Sequence, residues 1–144
     1  MNANVQKKLR FNGYKIYGFN LSSSDEKDPL LDENLSLDIS LSSKINTETN
    51  KGFNLVMNII LVSSDKKFEL ILNSKSMFET DIEIDDSYLG DPMVNINAPA
   101  IVFPFLRAFI NTVTINAGFK PIILPAINFA KMYNDAMAKG SKKE

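Results

Sequence analysis

The chain has 144 residues, 44% of them hydrophobic and 23% charged, with a formal net charge of −1 and neither cysteine nor histidine. That is enough for one domain with a real hydrophobic core, and the near-neutral balance excludes the basic footprint of a nucleic-acid binder. Disulfide and thiol chemistry are excluded with cysteine, and the commonest general base, pH switch and metal ligand with histidine.

Residues 1–8 are polar and expected to be loose, as is the basic tail 139–144; a single domain accounts for the whole of 1–144. The opening is charged but leads into FNGYKIYGFN, not into a signal peptide's apolar core, so a cytoplasmic location is expected. Over residues 9–21, Phe11, Tyr17, Phe19 and Leu21 alternate while Ile16 falls out of phase. The aromatic content predicts a strand, and Gly13 and Gly18 mark bulges or close backbone contact. Residues 22–34 read as a long acidic loop around Pro29, which Leu30 and Leu31 would anchor on the body.

Residues 35–41 alternate strictly, with Leu35, Leu37, Ile39 and Leu41 on one side and Ser36, Asp38 and Ser40 on the other, which predicts a half-buried strand. A polar connection over 42–51 follows. Residues 53–62 and 67–84 are apolar runs separated by a short Ser/Asp/Lys turn and predict an antiparallel hairpin. Phe68, Leu70 and Leu72 share one side of its second arm, and 81–86 either extend that strand or lead out of it.

The second half changes period. Residues 95–133 hold four of the six prolines and hardly any charge. Val102, Leu106, Phe109, Ile110, Val113 and Ala117 recur at helical spacing up to Gly118, although the β-branched run 112–115 would also suit a strand. Pro104 sits in the first turn or kinks a longer helix. Ile101, Phe105, Ala108 and Ile115 fall away from the main stripe, so the helix is apolar nearly all round and predicts burial in an oligomer or cover by a ligand chain. The longest apolar run, 98–106, is broken by Pro99 and Pro104 and is too short to span a bilayer. Prolines 121 and 125 keep 119–127 extended, and Asn128 caps a short helix whose Phe129, Met132, Tyr133 and Ala136 share a face. The fold class is therefore α+β: a four-stranded antiparallel sheet with one long and one short helix on one face.

No catalytic constellation is present. The six glycines are scattered and form no phosphate loop. Asp81, Glu83, Asp85 and Asp86 invite a calcium reading but lack the loop glycine, and Pro92 stands where the bidentate glutamate belongs. A solvated strand end explains them. Arg107, a single charge in the apolar helix, either snorkels at the core margin or meets a carboxylate across a subunit contact.

The block NAPAIVFPFLRAFI (97–110), followed after a gap by LPAINFAKMY (124–133), resembles the signature of the SecB protein-export chaperones, and KIYGFNL and the strand ending at Met77-Phe78 fit that family's order. The resemblance implies a homotetramer built as a dimer of dimers, with no cofactor and no turnover. The clients would be unfolded preproteins or other non-native polypeptides, with the SecA motor as a further partner, and neither nucleic acid binding nor membrane insertion is expected. It places Leu70, Leu72 and Ser74 in assembly contacts, to which the long helix would add Phe105, Arg107 and Phe109. Leu35, Leu37, Ile39, Phe129 and Tyr133, with the adaptable Met132, would line the client groove. Family members that deliver clients to SecA carry acidic residues on the first and fourth strands, whereas the matching places here read Asn20, Ser24 and Ile71. Some relatives instead guard the antitoxins of toxin–antitoxin systems.

Overall fold

A computed structural model describes residues 8–24, 35–122 and 124–142, with the backbone alone at 140–142. Leu30, Leu31 and residues 1–7 of the expected loose start lie outside these residues. The element order is β1 (Leu9–Ser23), β2 (Ser36–Ile45), β3 (Gly52–Val62), β4 (Phe68–Thr80), a 3₁₀ turn (Asp86–Gly90), a π-helical turn (Met93–Asn97), α1 (Ala98–Asn116) and α2 (Phe129–Lys142). The strands form one antiparallel sheet in the order β1-β4-β3-β2.

β3 and β4 are the inner strands, and their alternation sorts side chains cleanly between two faces. Phe53, Leu55, Met57, Ile59 and Leu61 from β3 are buried together with Phe68, Leu70, Leu72 and Phe78 from β4. The hairpin turns on Asp65, whose carboxylate accepts from the Lys67 N–H at 3.0 Å and from the Ser63 hydroxyl at 2.7 Å. Gly52 is required where β3 meets β4, because a Cβ there would collide with the Phe78 carbonyl. β2 runs four residues beyond the expected end at 41. Ser42, Ser43, Lys44 and Ile45 pair with β3 despite their polarity, because the β3 backbone needs hydrogen-bond partners along its length.

β1 contains two bulges, between Phe11 and Tyr14 and between Ile16 and Gly18, and Gly13 at the first has φ +109°. The first bulge inverts the inward–outward phase and the second restores it. Phe11, Ile16 and Leu21 accordingly all pack against the core. Ile16, out of phase in the sequence, belongs to the core face. Tyr17, expected beside Phe19, is turned to the opposite face and is 58% exposed.

α1 lies on the core face. Val102, Leu106 and Ile110 are fully buried, and Phe105 and Phe109 reach the β1 aromatics. Phe105 stands 5.6 Å from Phe11, and Phe109 stands edge-on to Phe19 at 5.4 Å, so α1 follows β1 in the same direction. Helix starts earlier than the stripe beginning at Val102, and Pro104 lies in its interior. With the π-turn it forms a 24-residue run, Met93–Asn116, that contains an 18-residue window of mean hydropathy 1.5, long and apolar enough by those measures to cross a membrane. The helix thus extends well beyond the apolar run 98–106; its buried stripe is the one that closes over the sheet, as in the core helix of a globular domain.

The C-terminus of α1 is a Schellman motif. Gly118, at φ +93°, donates to the Ile115 carbonyl, and the Phe119 N–H donates to that of Thr114, both at 3.0 Å. Thr114 resolves the helix-or-strand ambiguity of 112–115. Its buried hydroxyl lies 2.9 Å from the carbonyls of Ile110 and Asn111, satisfied within the helix, and accepts from the Ile122 N–H at 3.3 Å. Residues 119–122 and 124–128 carry neither helix nor strand. The Asn128 side chain then accepts from the Lys131 N–H at 2.9 Å and caps α2. α2 continues to Lys142, so 139–142 are helical and not a loose tail. Lysines in a last helical turn oppose the negative end of its dipole.

Thr114→Val is expected to lower stability by about 1–3 kcal/mol, because it leaves the buried Ile122 N–H without its acceptor. Urea unfolding checks this, with the midpoint falling and the slope unchanged.

Candidate functional site

Two apolar surfaces remain after the single chain has folded. The first combines α1 and β1. Ile101, Phe105 and Ile115 are 39%, 44% and 51% exposed, and Tyr14 and Phe19 on β1 are exposed beside them. Phe105 joins the two elements, with ring centroids 5.5 Å from Tyr14 and 5.6 Å from Phe11. Arg107 is half-buried and, two positions from both Phe105 and Phe109, stands on another side of α1. Among the described residues the one ion pair is Arg10–Glu79, at 3.0 Å, so no described carboxylate reaches Arg107.

The second surface lies at the opposite edge of the sheet. Leu35, Leu37, Ile39 and Leu41 are half-buried against the core along β2, which no further described strand covers. Met132 is likewise half-buried against the core from α2. Tyr133 is half-buried, and its hydroxyl donates to the Gly90 carbonyl at 2.8 Å, tying α2 to the 3₁₀ turn.

The expected site residues divide on these facts. Phe105 and Phe109 lie on the α1 surface, and Arg107 lies on another side of the same helix. Leu70, Leu72 and Ser74 do not reach any surface: all three are 0% exposed, and the Ser74 hydroxyl donates to the Met57 carbonyl at 2.8 Å. β4 is an inner strand and these residues belong to its buried, core-facing side. Phe129 is 4% exposed and packs edge-on against Phe103 at 5.7 Å, a core contact and not a groove wall. Helical spacing correctly grouped it with Met132 but could not tell that α1 lies over its ring. Tyr14, missed in the sequence reading, joins the aromatic surface only because of the Gly13 bulge.

The acidic stretch has a structural use. Asp85 accepts from the N–H and the hydroxyl of Ser87 and caps the 3₁₀ turn, and the Ser87 hydroxyl holds its carboxyl below the ordinary range. Asp91 accepts from the Met93 N–H at 2.8 Å at the entry to the π-turn. Among the described residues no group of three acids is placed to hold a metal ion.

A family model described as preprotein translocase subunit SecB matches residues 6–140, nearly the whole chain. The chain belongs to the SecB family. It is therefore grouped with chaperones, whose work is binding and not turnover. A protein-export protein SecB of Rickettsia rickettsii is 30% identical over 113 residues, 76% of this chain and 73% of that one. An uncharacterized protein of Methanocaldococcus jannaschii is 32% identical over 132 residues, 86% of this chain and 81% of that one. The SecB fold is also that of a SecB-like chaperone of Mycobacterium tuberculosis, solved in complex with a ChAD peptide from the HigA1 antitoxin. The two superpose with a TM-score of 0.70 at 10% identity, over 83% of this chain and 90% of that one.

On this SecB fold, Phe129→Ala is expected to cost about 3–5 kcal/mol of stability, the range for emptying a buried phenylalanine site. A thermal melt checks it, and an unchanged melting temperature would return Phe129 to the exposed surface.

Proposed function

We propose that this SecB-family protein is a cytoplasmic holdase for non-native polypeptides that works as a homotetramer. The observation that carries the proposal is the pair of separate apolar surfaces left by one folded chain. The α1 surface, with Phe105 and Phe109, suits assembly: it is aromatic and contiguous with the β1 rings, and Arg107, which no described carboxylate reaches, adds a cation on another side of the same helix. The β2-edge row of Leu35, Leu37 and Ile39, with Met132, suits clients. Aliphatic and thioether side chains adapt to many sequences, and an open strand edge offers backbone groups to an extended chain. Each large client side chain buried there contributes about 1.5–3 kcal/mol, and several sites on one tetramer add by avidity.

A second reading, a dedicated chaperone of one partner such as an antitoxin with no link to SecA, is favoured by one feature. Asn20 and Ile71 are register neighbours on β1 and β4, so two of the three places that lack a carboxylate are adjacent in space. The protein from M. tuberculosis, complexed with an antitoxin peptide, supports the same reading.

Suppression of aggregation of several unrelated denatured proteins is expected, and action on a single partner alone would favour the second reading. Leu37→Ala combined with Ile39→Ala and Met132→Ala is expected to weaken client binding about tenfold or more while leaving the oligomer intact. Unchanged affinity would remove the β2 edge from the site. Phe105→Asp is expected to break the assembly, seen by light scattering as a fall from four times the chain mass.

A further inference from the structure

We propose that the outward face of the sheet, opposite α1, docks an acidic peptide segment of a partner protein. The face carries an open groove of about 1030 Å³. Asn54 and Val56 of β3 and Lys75 and Met77 of β4 belong to its central strands, with Lys15 and Tyr17 on the β1 side and Lys44 on the β2 side. Three ammonium groups thus line one concavity in a chain whose net charge is −1, and Glu48 is its one carboxylate.

The arrangement is electrostatically unfavourable by itself. Lys15 and Lys75 are direct cross-strand partners, and like charges directly opposite each other destabilise a sheet. Glu79, four residues along β4 on the same face, is engaged by Arg10, its own cross-strand partner, at 3.0 Å. Among the described residues no ion pair reaches Lys15, Lys44 or Lys75. A bound anion would relieve this repulsion.

The remaining lining selects the kind of anion. Val56, the 38% exposed Met77 and the Tyr17 ring form an apolar component between the lysines. Phosphates gain nothing from such a floor, and no arginine lines the groove to fork onto them. A peptide that mixes carboxylates with large apolar side chains satisfies both parts. This face is separate from the core-side β2 row proposed for clients, so the two sites can be lost independently.

The test uses the full chain and a short fluorescein-labelled peptide alternating Glu with Leu and Phe, followed by fluorescence anisotropy. Binding is expected to weaken as salt rises and to fall sharply when the Glu residues are replaced by Gln. Lys15→Gln, Lys44→Gln and Lys75→Gln together are expected to weaken it about tenfold, while the matching Lys→Arg triple keeps it. Aggregation suppression should be unchanged in the Gln triple, which separates this site from the client surface. Equal binding of the Glu peptide by the Gln triple, equal binding of the Gln peptide, or stronger binding of an oligouridylate than of the peptide would each overturn the proposal.

Discussion

The constraint on which the rest depends is that a single-layer sheet can bury only one stripe of a helix. Val102, Leu106 and Ile110 fill that stripe against β3 and β4, and they close the core. α1 carries apolar residues well beyond the stripe. Ile101, Phe105 and Ile115 are left at the surface because no second layer exists among the described residues to receive them. A helix apolar on more than one side in an isolated fold is the mark of an unfinished interface. On the proposed function that condition is used twice, once to assemble and once to hold polypeptide that has not buried its own apolar groups.

The ends of α1 show how the fold keeps this helix in place. Asp91 holds the entry through the Met93 N–H, and the Gly118 motif closes the exit. Thr114 fastens the returning segment at Ile122. The same segment leads to α2, whose Phe129 locks onto Phe103. α2 is therefore anchored by one buried ring, with the half-buried Met132 and Tyr133 on the turn beyond it. Rigid attachment with an adaptable remainder is what a broad-specificity surface requires.

β1 contributes a different device. An uninterrupted strand would place Lys15, Tyr17 and Phe19 on one face. The two bulges send Lys15 and Tyr17 outward and keep Phe11, Ile16 and Phe19 toward α1. One strand thus supplies aromatic rings to the α1 surface and a cation to the opposite face. The polar character of the two sides of the sheet is set by these two extra residues as much as by composition.

Local periodicity sufficed to read the type and order of the four strands and the two α-helices, the Asn128 cap, the Gly118 stop and the membership of α1 in an apolar cluster, because helix and strand patterns act over a few residues; the 3₁₀ and π-helical turns before α1 carried no such pattern. The family signature in 97–110 and 124–133 was equally legible, being a contiguous string. The inward burial of Leu70, Leu72 and Ser74, the enclosure of Phe129 and the outward turn of Tyr17 were decided only in three dimensions. Each depends on which strand is central, which ring lies overhead or where a bulge shifts the phase, and those are relations between residues far apart in the chain. The lysine groove is of the same kind: Lys15, Lys44 and Lys75 are spread over three strands, and pairing alone brings them to one face.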